Sequence, residues 1–570
     1  MFADLHCHPS NRIFNSLRQS KNDPFKDFNE DNVVLENLLI EQTLWHQTPE
    51  DTKKKKKQLE KGFTGDMANF PQCDIKSLTD SNTRIVFAAI YPLEKGFFLG
   101  NKKKGISAKS LTSLISRLII KSKQISGNFE KILLIIIQTV LRKADPLANI
   151  LINNKGLGRD CLQKSLMRFS RPRIDYIQSN KYDYFREATF EYNLYKYGDN
   201  KIPPKETEVN TYQLIKDNNH LNEVLNSTDH ISIILTLEGI NTLSQKSEKN
   251  KLVYVGWDEL KRRIHTIKSW NVFFITFCHH YSNELAGHAR SLPQLLQEIS
   301  DQEPLKNRGI DEISADGMKA IRELVSVGKE NSRDNSLGRR ILIDVKHMAP
   351  KARKEYYDFI KSYNEENPND KIPVIASHMG YANIKSLDDL IKCQDEEKDN
   401  SFKDGFLQWS INLCDEDIRI IVASGGIIGL CFDQRIIGVD LEKGNSLKKK
   451  EKGNLFKKGQ DTSAEWIEFF RNNILGFIQS CSKSDLNNEY KIWNCISLGT
   501  DFDGFIDVVN PFGTAERFEY FFSMLLESFN KISQQEKEKY GLNGNPYTPE
   551  EVIEKIAWKN AYEFTLSNFK

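Results

Sequence analysis

The sequence predicts an α/β protein built on a (β/α)8 TIM-type barrel. Eight short apolar runs, rich in β-branched residues, recur along the 570 residues, and helical patterns separate many of them. Nearly continuous apolar runs are typical of parallel strands covered on both faces. Strands that alternate with helices indicate βα units, and eight such units favour a closed barrel.

The strands and helices follow one another in a regular order. In chain order, the predicted strands are Met1–His8, Arg84–Tyr91, Ile231–Glu238, Val272–His279, Arg340–His347, Ile372–His378, Gly426–Phe432 and Cys495–Asp501. The clearest helical patterns between them are Trp257–Ser269, Ser314–Val327, Pro350–Tyr363 and Ser463–Ser480. We expect the carboxyl ends of all eight strands to meet at one face of the barrel.

The spacing of the strands is uneven. Residues 95–230 separate the second predicted strand from the third and contain three helix candidates, Leu111–Lys123, Phe129–Lys143 and Lys181–Tyr197. Barrels of this type tolerate large insertions. The sequence therefore predicts a barrel formed by 1–94 and 231–570, with a mostly helical insertion at 95–230 beside or over its mouth.

Composition excludes several classes of protein. Charged residues make up 28% of the chain, but the net charge is only +2, so we expect no nucleic-acid partner. A hydrophobic content of 39% fits a globular core diluted by polar insertions better than a disordered chain. The nine cysteines are scattered without a CxxC pair, which indicates reduced thiols.

The sequence also indicates where the protein is located. The first residues carry no basic region followed by an apolar one, so we predict no signal peptide and a cytoplasmic protein. The most apolar stretch, Ile132 to Ile137, is far too short to span a bilayer. We therefore expect no membrane span.

Six of the eight predicted strands end on His, Glu or Asp. His6 and His8 are two residues apart on the first strand, so both point to one face and can grip one divalent cation. A barrel would bring seven such residues to one rim. They are His6, His8, Glu238, His279, His347, His378 and Asp501.

These residue types suit a metal-assisted hydrolytic site, because imidazoles and carboxylates are the usual ligands of catalytic zinc. His6 and His8 would hold one ion, His347 and His378 a second, and Glu238 would bridge the two. Two metals about 3.5–4 Å apart can share a hydroxide nucleophile. Two further residues would complete the chemistry. Asp501 would orient that hydroxide and shuttle its proton, and His279 would polarise a substrate carbonyl.

Each of these residues also has a purely structural interpretation. A single histidine at a strand end is more often a hydrogen-bonded structural residue, and Asp501 and Asp503 could be helix caps or turn formers before Gly504. Such interpretations would have to hold together at most of the strand ends, which favours the metal site. His280 follows His279 and would face the opposite side of a continuing strand, so we expect a structural or supporting role for it.

At these residues the chain resembles the membrane dipeptidase (renal dipeptidase-like, peptidase family M19) metallopeptidases of the amidohydrolase superfamily. The matching segments are Leu237–Gly239, Thr276–His279 with Asn283–Ala286, Leu342–His347, Val374–His378, Gly499–Gly504 and Lys559–Phe564. The resemblance covers the barrel. It implies a (β/α)8 fold, two Zn²⁺ ions or other divalent transition metals, hydrolysis of dipeptides with a free C-terminus, and a homodimer as the candidate assembly.

Two positions depart from the family pattern. His8 stands where the family typically has Asp, which replaces a carboxylate ligand by an imidazole. Ile411, just before Asn412, stands where the family usually has an Arg that grips the substrate carboxylate. Arg435 is our candidate for a substitute cation, and we predict that Asn412 and Arg435 bind substrate. The exact substrate stays open for this reason.

Other functions remain possible at this point. The same barrel and metals could hydrolyse a lactone, deaminate a substrate or cleave another amide. The His-x-His start also resembles the polymerase-and-histidinol-phosphatase phosphoesterases, although those usually show Asp-x-His where this chain has Asp501-Phe502-Asp503. A third alternative is a catalytically degenerate barrel used as a binding scaffold, with the helical insertion as its interaction module.

Overall fold

A computed structural model of the chain describes residues 1–18, 44, 53, 70–97, 171–201, 210–227, 230–248, 251–292, 311–395, 401–439, 441–452, 460–482, 491–504 and 506–570. The strands in these ranges are β1 (Phe2–Cys7), β2 (Thr83–Ile90), β3 (Thr211–Leu214), β4 (His230–Glu238), β5 (Gln245–Glu248), β6 (Lys251–Tyr254), β7 (Phe274–Thr276), β8 (Leu342–Asp344), β9 (Ile375–Met379), β10 (Ser401–Lys403), β11 (Phe406–Gln408), β12 (Ile427–Leu430) and β13 (Ile496–Leu498).

The helices surround these strands. They span Asn11–Leu17, Ile75–Asp80, Arg171–Gln178, Tyr184–Gly198, Asn218–Leu225, Asn241–Ser244, Trp257–Ser269, Ala315–Leu324, Pro350–Glu366, Leu387–Asp395, Asp415–Ser424, Leu441–Lys452, Ser463–Cys481, Phe518–Asn530, Gln534–Tyr540, Pro549–Glu554 and Asn560–Asn568. Within the described ranges no helix is long and apolar enough to pass through a lipid bilayer.

Eight parallel strands form the barrel in the order β1-β2-β4-β7-β8-β9-β12-β13. Backbone contacts just beyond β13 close the ring onto β1. Asp501 N donates to His6 O at 2.8 Å, and His8 N donates to Phe502 O at 2.9 Å. The predicted (β/α)8 fold is thereby confirmed, and each predicted strand overlaps one barrel strand.

The predicted helices also form, with small differences at their ends. The helix Trp257–Ser269 has the predicted bounds, and its buried residues Leu260, Ile264 and Ile267 recur at the helical period on the face that meets the barrel. Ser314 is the N-cap of the next predicted helix, because its side chain accepts a hydrogen bond from Gly317 N.

The described part of 95–230 packs directly on the barrel. Its helix Tyr184–Gly198, which confirms the predicted helix Lys181–Tyr197, stacks the Tyr192 ring on Trp270 with centroids 4.4 Å apart. β3 pairs in parallel with β4 and was not predicted, because Thr-Tyr-Gln-Leu is too short and polar to show a pattern. The helix candidates at 111–123 and 129–143 lie outside the described residues, and the domain division stays a prediction.

The cysteines of the described ranges are all free thiols, in agreement with the reduced state expected from the sequence. Most of them are buried in the hydrophobic core, which runs through the barrel and its helices. Cys161 lies outside the described residues.

Candidate metal centre

The carboxyl ends of the barrel strands bring the seven sequence-predicted residues together. His6 and His378 lie within β1 and β9, and Glu238 is the last residue of β4. His8 follows β1 directly, and His279, His347 and Asp501 each lie three residues beyond the ends of β7, β8 and β13. Six of the seven are at most 5% exposed, and the seventh, Asp501, has a side chain that is 15% exposed. The cluster is therefore shielded from bulk water, with one carboxylate reaching outward.

Glu238 lies at the centre of the cluster. Its Oε2 atom lies 3.3 Å from His8 Nε2. Its Oε1 atom faces four imidazoles, at 3.4 Å from His6 Nε2, 3.5 Å from His279 Nε2, 3.7 Å from His378 Nε2 and 3.8 Å from His347 Nε2. One carboxylate thus lies near five ligand candidates that come from four other strand ends.

These spacings fit a shared cation. Metal–ligand bonds of about 2.0–2.2 Å at tetrahedral angles place neighbouring donor atoms about 3.3–3.6 Å apart. Several buried ring nitrogens have no hydrogen-bond partner, among them both nitrogens of His6, Nδ1 of His8 and Nε2 of His378. Buried polar atoms are otherwise nearly always paired, and ligation of a metal would account for the unpaired Nε2 atoms of His6 and His378, which face Glu238.

Two sets of three potential ligands share Glu238. They are His6, His8 and Glu238, and Glu238, His347 and His378, each with ligand atoms within 4.8 Å of one another. This matches the division predicted from the sequence. Two further sets overlap with them, namely His279, His280 and His347, and His6, His378 and Asp501. The residues present therefore suit more than one divalent cation.

The protonation states favour metal binding. Burial lowers the pKa of His347 and of His378 well below the usual value, so both imidazoles are neutral, as a metal ligand must be. Burial also lowers the pKa of His8, but the carboxylates of Asp501 and Glu238 outweigh it and raise the pKa to about 10. The same carboxylates attract any cation at this position.

Buried carboxylates beneath the cluster orient its members. Asp344 Oδ2 accepts hydrogen bonds from the hydroxyls of Ser377 and Thr276, each at 2.6 Å. The Ser377 hydroxyl is also 2.7 Å from His378 Nδ1, which leaves Nε2 facing Glu238. On the other side of the barrel, Asp4 binds the end of β13 through Thr500 Oγ1 at 2.6 Å. These contacts fix the imidazole rings in place.

Glu94 also contacts the cluster, although it is not among the site residues that the sequence predicts. Its Oε2 atom is 2.6 Å from His279 Nδ1, so the other ring nitrogen, Nε2, points to Glu238. Burial lowers the pKa of His279, but Glu238 and Glu94 outweigh this effect and raise it. The available signal was an acidic residue soon after the second predicted strand, which ended on Tyr91.

His280 also reaches the cluster, contrary to the orientation expected from strand alternation. β7 ends at Thr276, so the alternation of side chains does not extend to His279 and His280. The two rings lie side by side with centroids 3.8 Å apart, and His280 Nδ1 is held by the Ser291 hydroxyl at 2.6 Å. His280 therefore lines the same cavity as His279.

A cavity lies beside the cluster. Its polar lining includes His8, Tyr91, Glu238, His279, His280, Lys346, His347, Arg435 and Asp501. Ile411, Ile436 and Ile506 form the apolar part of the cavity lining, called here the isoleucine wall. Burial lowers the pKa of Lys346 from its usual range. The cavity thus combines metal-competent residues, two basic side chains and an apolar surface.

The structure separates the two residues predicted to bind substrate. Arg435 lines the cavity, and its Nε atom donates to Asp433 Oδ1 at 2.9 Å. Asn412 is fully buried and is not part of the cavity lining. Its Nδ2 atom donates to Ile436 O at 2.9 Å, so Asn412 supports the backbone that carries the apolar wall.

Comparisons with known proteins return a fold likeness at low identity. No family model matches the chain, and no curated protein matches it either. Among solved structures, the chain is similar to a metallopeptidase from Rhodobacter sphaeroides with a bound phosphinate mimic of the dipeptide L-Ala-D-Ala (10% identity, TM-score 0.47, 100% of this chain and 99% of that chain covered).

Two other similar structures are dipeptidases. One is a metallopeptidase of family M19 (11% identity, TM-score 0.43, 88% of this chain and 90% of that chain covered). The other is the probable dipeptidase PvdM from Pseudomonas aeruginosa (14% identity, TM-score 0.35, 74% and 91% covered).

Proposed function

We propose that this protein is a metal-dependent hydrolase that cleaves a dipeptide or a similar small amide. The observation that carries the proposal is the convergence of His6, His8, His347 and His378 on the single carboxylate of Glu238. A structural role does not explain so many metal-competent side chains around one buried acid. It also leaves their unpaired ring nitrogens unexplained.

Two divalent cations would be held here, and zinc is expected from the ligand types. His6 and His8 would hold one ion, His347 and His378 the other, and Glu238 would contact both. When bound, such ions activate water and polarise the scissile carbonyl. The ligands would place the ions in a buried cavity, where the low dielectric strengthens electrostatic interactions with the substrate.

Asp501 would move the proton. Its Oδ1 atom is 3.2 Å from His8 Nε2, and its side chain is the most exposed of the seven, so it can contact both the ligand cluster and a substrate. A carboxylate oxygen of Asp501 would accept the proton of the attacking water and return it to the departing amine.

His279 would stabilise the negative charge that develops on the substrate oxygen. Glu94 holds its Nδ1 atom at 2.6 Å, which orients the ring and raises its pKa together with Glu238, in spite of burial. Its Nε2 atom is therefore placed to donate a hydrogen bond toward the cavity. Arg435 would bind a polar part of the substrate at the cavity wall.

Metal analysis and a dipeptide assay test the proposal. Protein purified without chelator should contain close to two zinc ions per chain and should hydrolyse dipeptides faster than phosphate esters or lactones. A chelator should abolish this activity, and added zinc should restore it. A protein that carries no transition metal would contradict the proposal. Faster cleavage of phosphate esters than of dipeptides would show that the protein is a phosphoesterase and not an amide hydrolase.

The variant Asp501→Asn separates proton transfer from metal binding. We expect it to keep the metal but to lose about 10²–10⁴-fold in kcat, because an amide cannot accept the proton. The matched control is Asp80→Asn, which changes a carboxylate that is 37% exposed and paired with Lys76 on a surface helix. Retained activity in Asp501→Asn, or equal losses in both variants, would refute the role of Asp501.

A further inference from the structure

Lys346 is a buried lysine that lines the cavity, and no described residue hydrogen-bonds its amine. It lies between Asp344, the last residue of β8, and His347, and it is 1% exposed. Its backbone N donates to Asp344 Oδ1 at 3.1 Å, which holds the residue at the strand end. Its Nζ atom has no hydrogen-bond partner among the described residues.

The other buried lysines of the described chain are fully bound. Lys95 is 2% exposed, and its Nζ atom donates to Ser179 O and Ser247 Oγ, each at 2.7 Å. Lys268 is 7% exposed, and its Nζ atom has three acceptors at 2.6–2.9 Å. A buried ammonium without such acceptors destabilises the fold, so Lys346 is the exception that points to a ligand.

The side chains around Lys346 indicate the charge and polarity of that ligand. The second basic side chain of the cavity, Arg435, already has the Asp433 carboxylate as its counter-ion, through Nε–Oδ1 and Nε–Oδ2 contacts of 2.9 and 3.1 Å. No carboxylate of the described residues pairs with Lys346 in this way, although Asp433 and Asp501 lie in the same cavity lining. Ile411, Ile436 and Ile506 line the same cavity and give it an apolar surface. Behind Ile411 and Ile436 lie further buried apolar side chains.

We propose that Lys346 binds a carboxylate of the substrate and that the isoleucine wall holds an aliphatic side chain beside it. The substrate class is then a small amide that carries both groups, such as a dipeptide with an aliphatic C-terminal residue. The hydrolysis of this substrate rests on the proposed function, whereas the binding of its carboxylate by Lys346 does not. Lys346 acts here as a specificity-determining residue.

The kinetic test compares glycyl-leucine with glycyl-leucinamide, which lacks the carboxylate. The zinc-loaded protein should prefer glycyl-leucine. In Lys346→Met, the KM for glycyl-leucine should rise at least 30-fold with kcat within about threefold, and the KM for the amide should change less than twofold. Lys346→Arg should recover part of the loss. Equal effects on both substrates, or no effect on either, would overturn the inference.

A binding test does not depend on catalysis. Isovalerate, a branched carboxylate, should bind the metal-free protein in calorimetric titration, whereas isovaleramide should not, and Lys346→Met should abolish isovalerate binding. If the chain binds isovalerate through Lys346 but hydrolyses no amide, the proposed function fails alone. If it hydrolyses glycyl-leucine while Lys346→Met binds isovalerate normally, the inference about Lys346 fails alone.

Thermal unfolding tests whether Lys346 has a structural role instead. Lys346→Met removes a buried unpaired amine, so it should leave the unfolding temperature of the metal-free protein unchanged or raise it. The matched control is Lys268→Met, which removes three buried hydrogen bonds and should lower it. A fall in Lys346→Met as large as in Lys268→Met would show that Lys346 supports the fold, which contradicts the proposal.

Discussion

Single residues at the strand ends hold the site in an uncommon backbone geometry. His347 and Asp501 have φ angles of 65° and 59°, in the left-handed region that few non-glycine residues adopt. Both residues lie three positions beyond the end of a barrel strand and line the cavity. Such local strain persists where the surrounding structure enforces it, and it concentrates at functional sites.

Gly504 leaves the space that Asp501 occupies. A Cβ atom at residue 504 would lie 2.1 Å from Asp501 Oδ1, so Gly504→Ala should push this carboxylate out of position. We expect a fall in kcat of about 10²-fold, because a misplacement of about 1 Å costs that much. Gly513→Ala is the control, since its Cβ would meet Val508 at an ordinary 3.4 Å. A wild-type kcat in Gly504→Ala would contradict the prediction.

Glu94 gives His279 its charge as well as its orientation. Burial alone would lower the pKa of His279, and the variant Glu94→Gln removes one of the three carboxylates, Glu238, Glu94 and Asp501, that raise it. The imidazolium should then lose its proton at a lower pH, so the alkaline limb of the kcat/KM profile should move to lower pH, with a loss of about 10–100-fold in activity. An unchanged pH profile would show that Glu94 does not act through His279.

The helix Tyr184–Gly198 is the element that ties the segment before β3 to the barrel. Its Glu191 accepts hydrogen bonds from the Ser10 hydroxyl at 2.5 Å and from Tyr91 N at 3.0 Å, just behind the metal-competent residues. One turn earlier, Glu187 is buried between Arg18 and Arg173, with N–O distances of 2.9 and 2.7 Å. The helix thus fastens to residues that follow both β1 and β2.

Glu191 makes the stability of this contact depend on pH. Burial raises its pKa from 4.5 to about 7, so the folded protein holds this proton more tightly than the unfolded chain. Its contribution is present below about pH 4.5 and is lost as the pH rises through about 7. Relative to Glu191→Gln, the wild type should lose ~3 kcal/mol of unfolding free energy between pH 4 and 8 in denaturant titrations. Parallel pH profiles would contradict this.

The whole molecule gathers its site from segments hundreds of residues apart, so metal binding and folding are coupled. A ligand at 100 times its Kd adds ~2.7 kcal/mol to the stability of the folded state for each site. Zinc should therefore raise the unfolding temperature, and a chelator should lower it. His378→Ala should weaken this response, while His265→Gln, on a histidine with a 43% exposed side chain, should keep it. A zinc-independent unfolding temperature would argue against the metal centre.

Local patterns were enough to predict the barrel and its main helices. Apolar runs identify buried strands because both faces of a parallel strand are covered, and the helix Trp257–Ser269 was predicted with its observed bounds because its apolar period is regular. His6 and His8 could be paired from their spacing alone, since both lie at the end of one strand. The roles assigned to them remain proposals.

Features that depend on distant contacts could not be read from local patterns. The strand β7 stops at Thr276, which turns His280 into the cavity, and no residue nearby signals this end. Glu94 reaches His279 across the barrel mouth, and Asn412 lies behind the cavity wall. The isolation of Lys346 Nζ is likewise a property of everything packed around it. Chain order encodes strand type and side-chain direction, whereas the partners of a side chain are set only when the barrel closes.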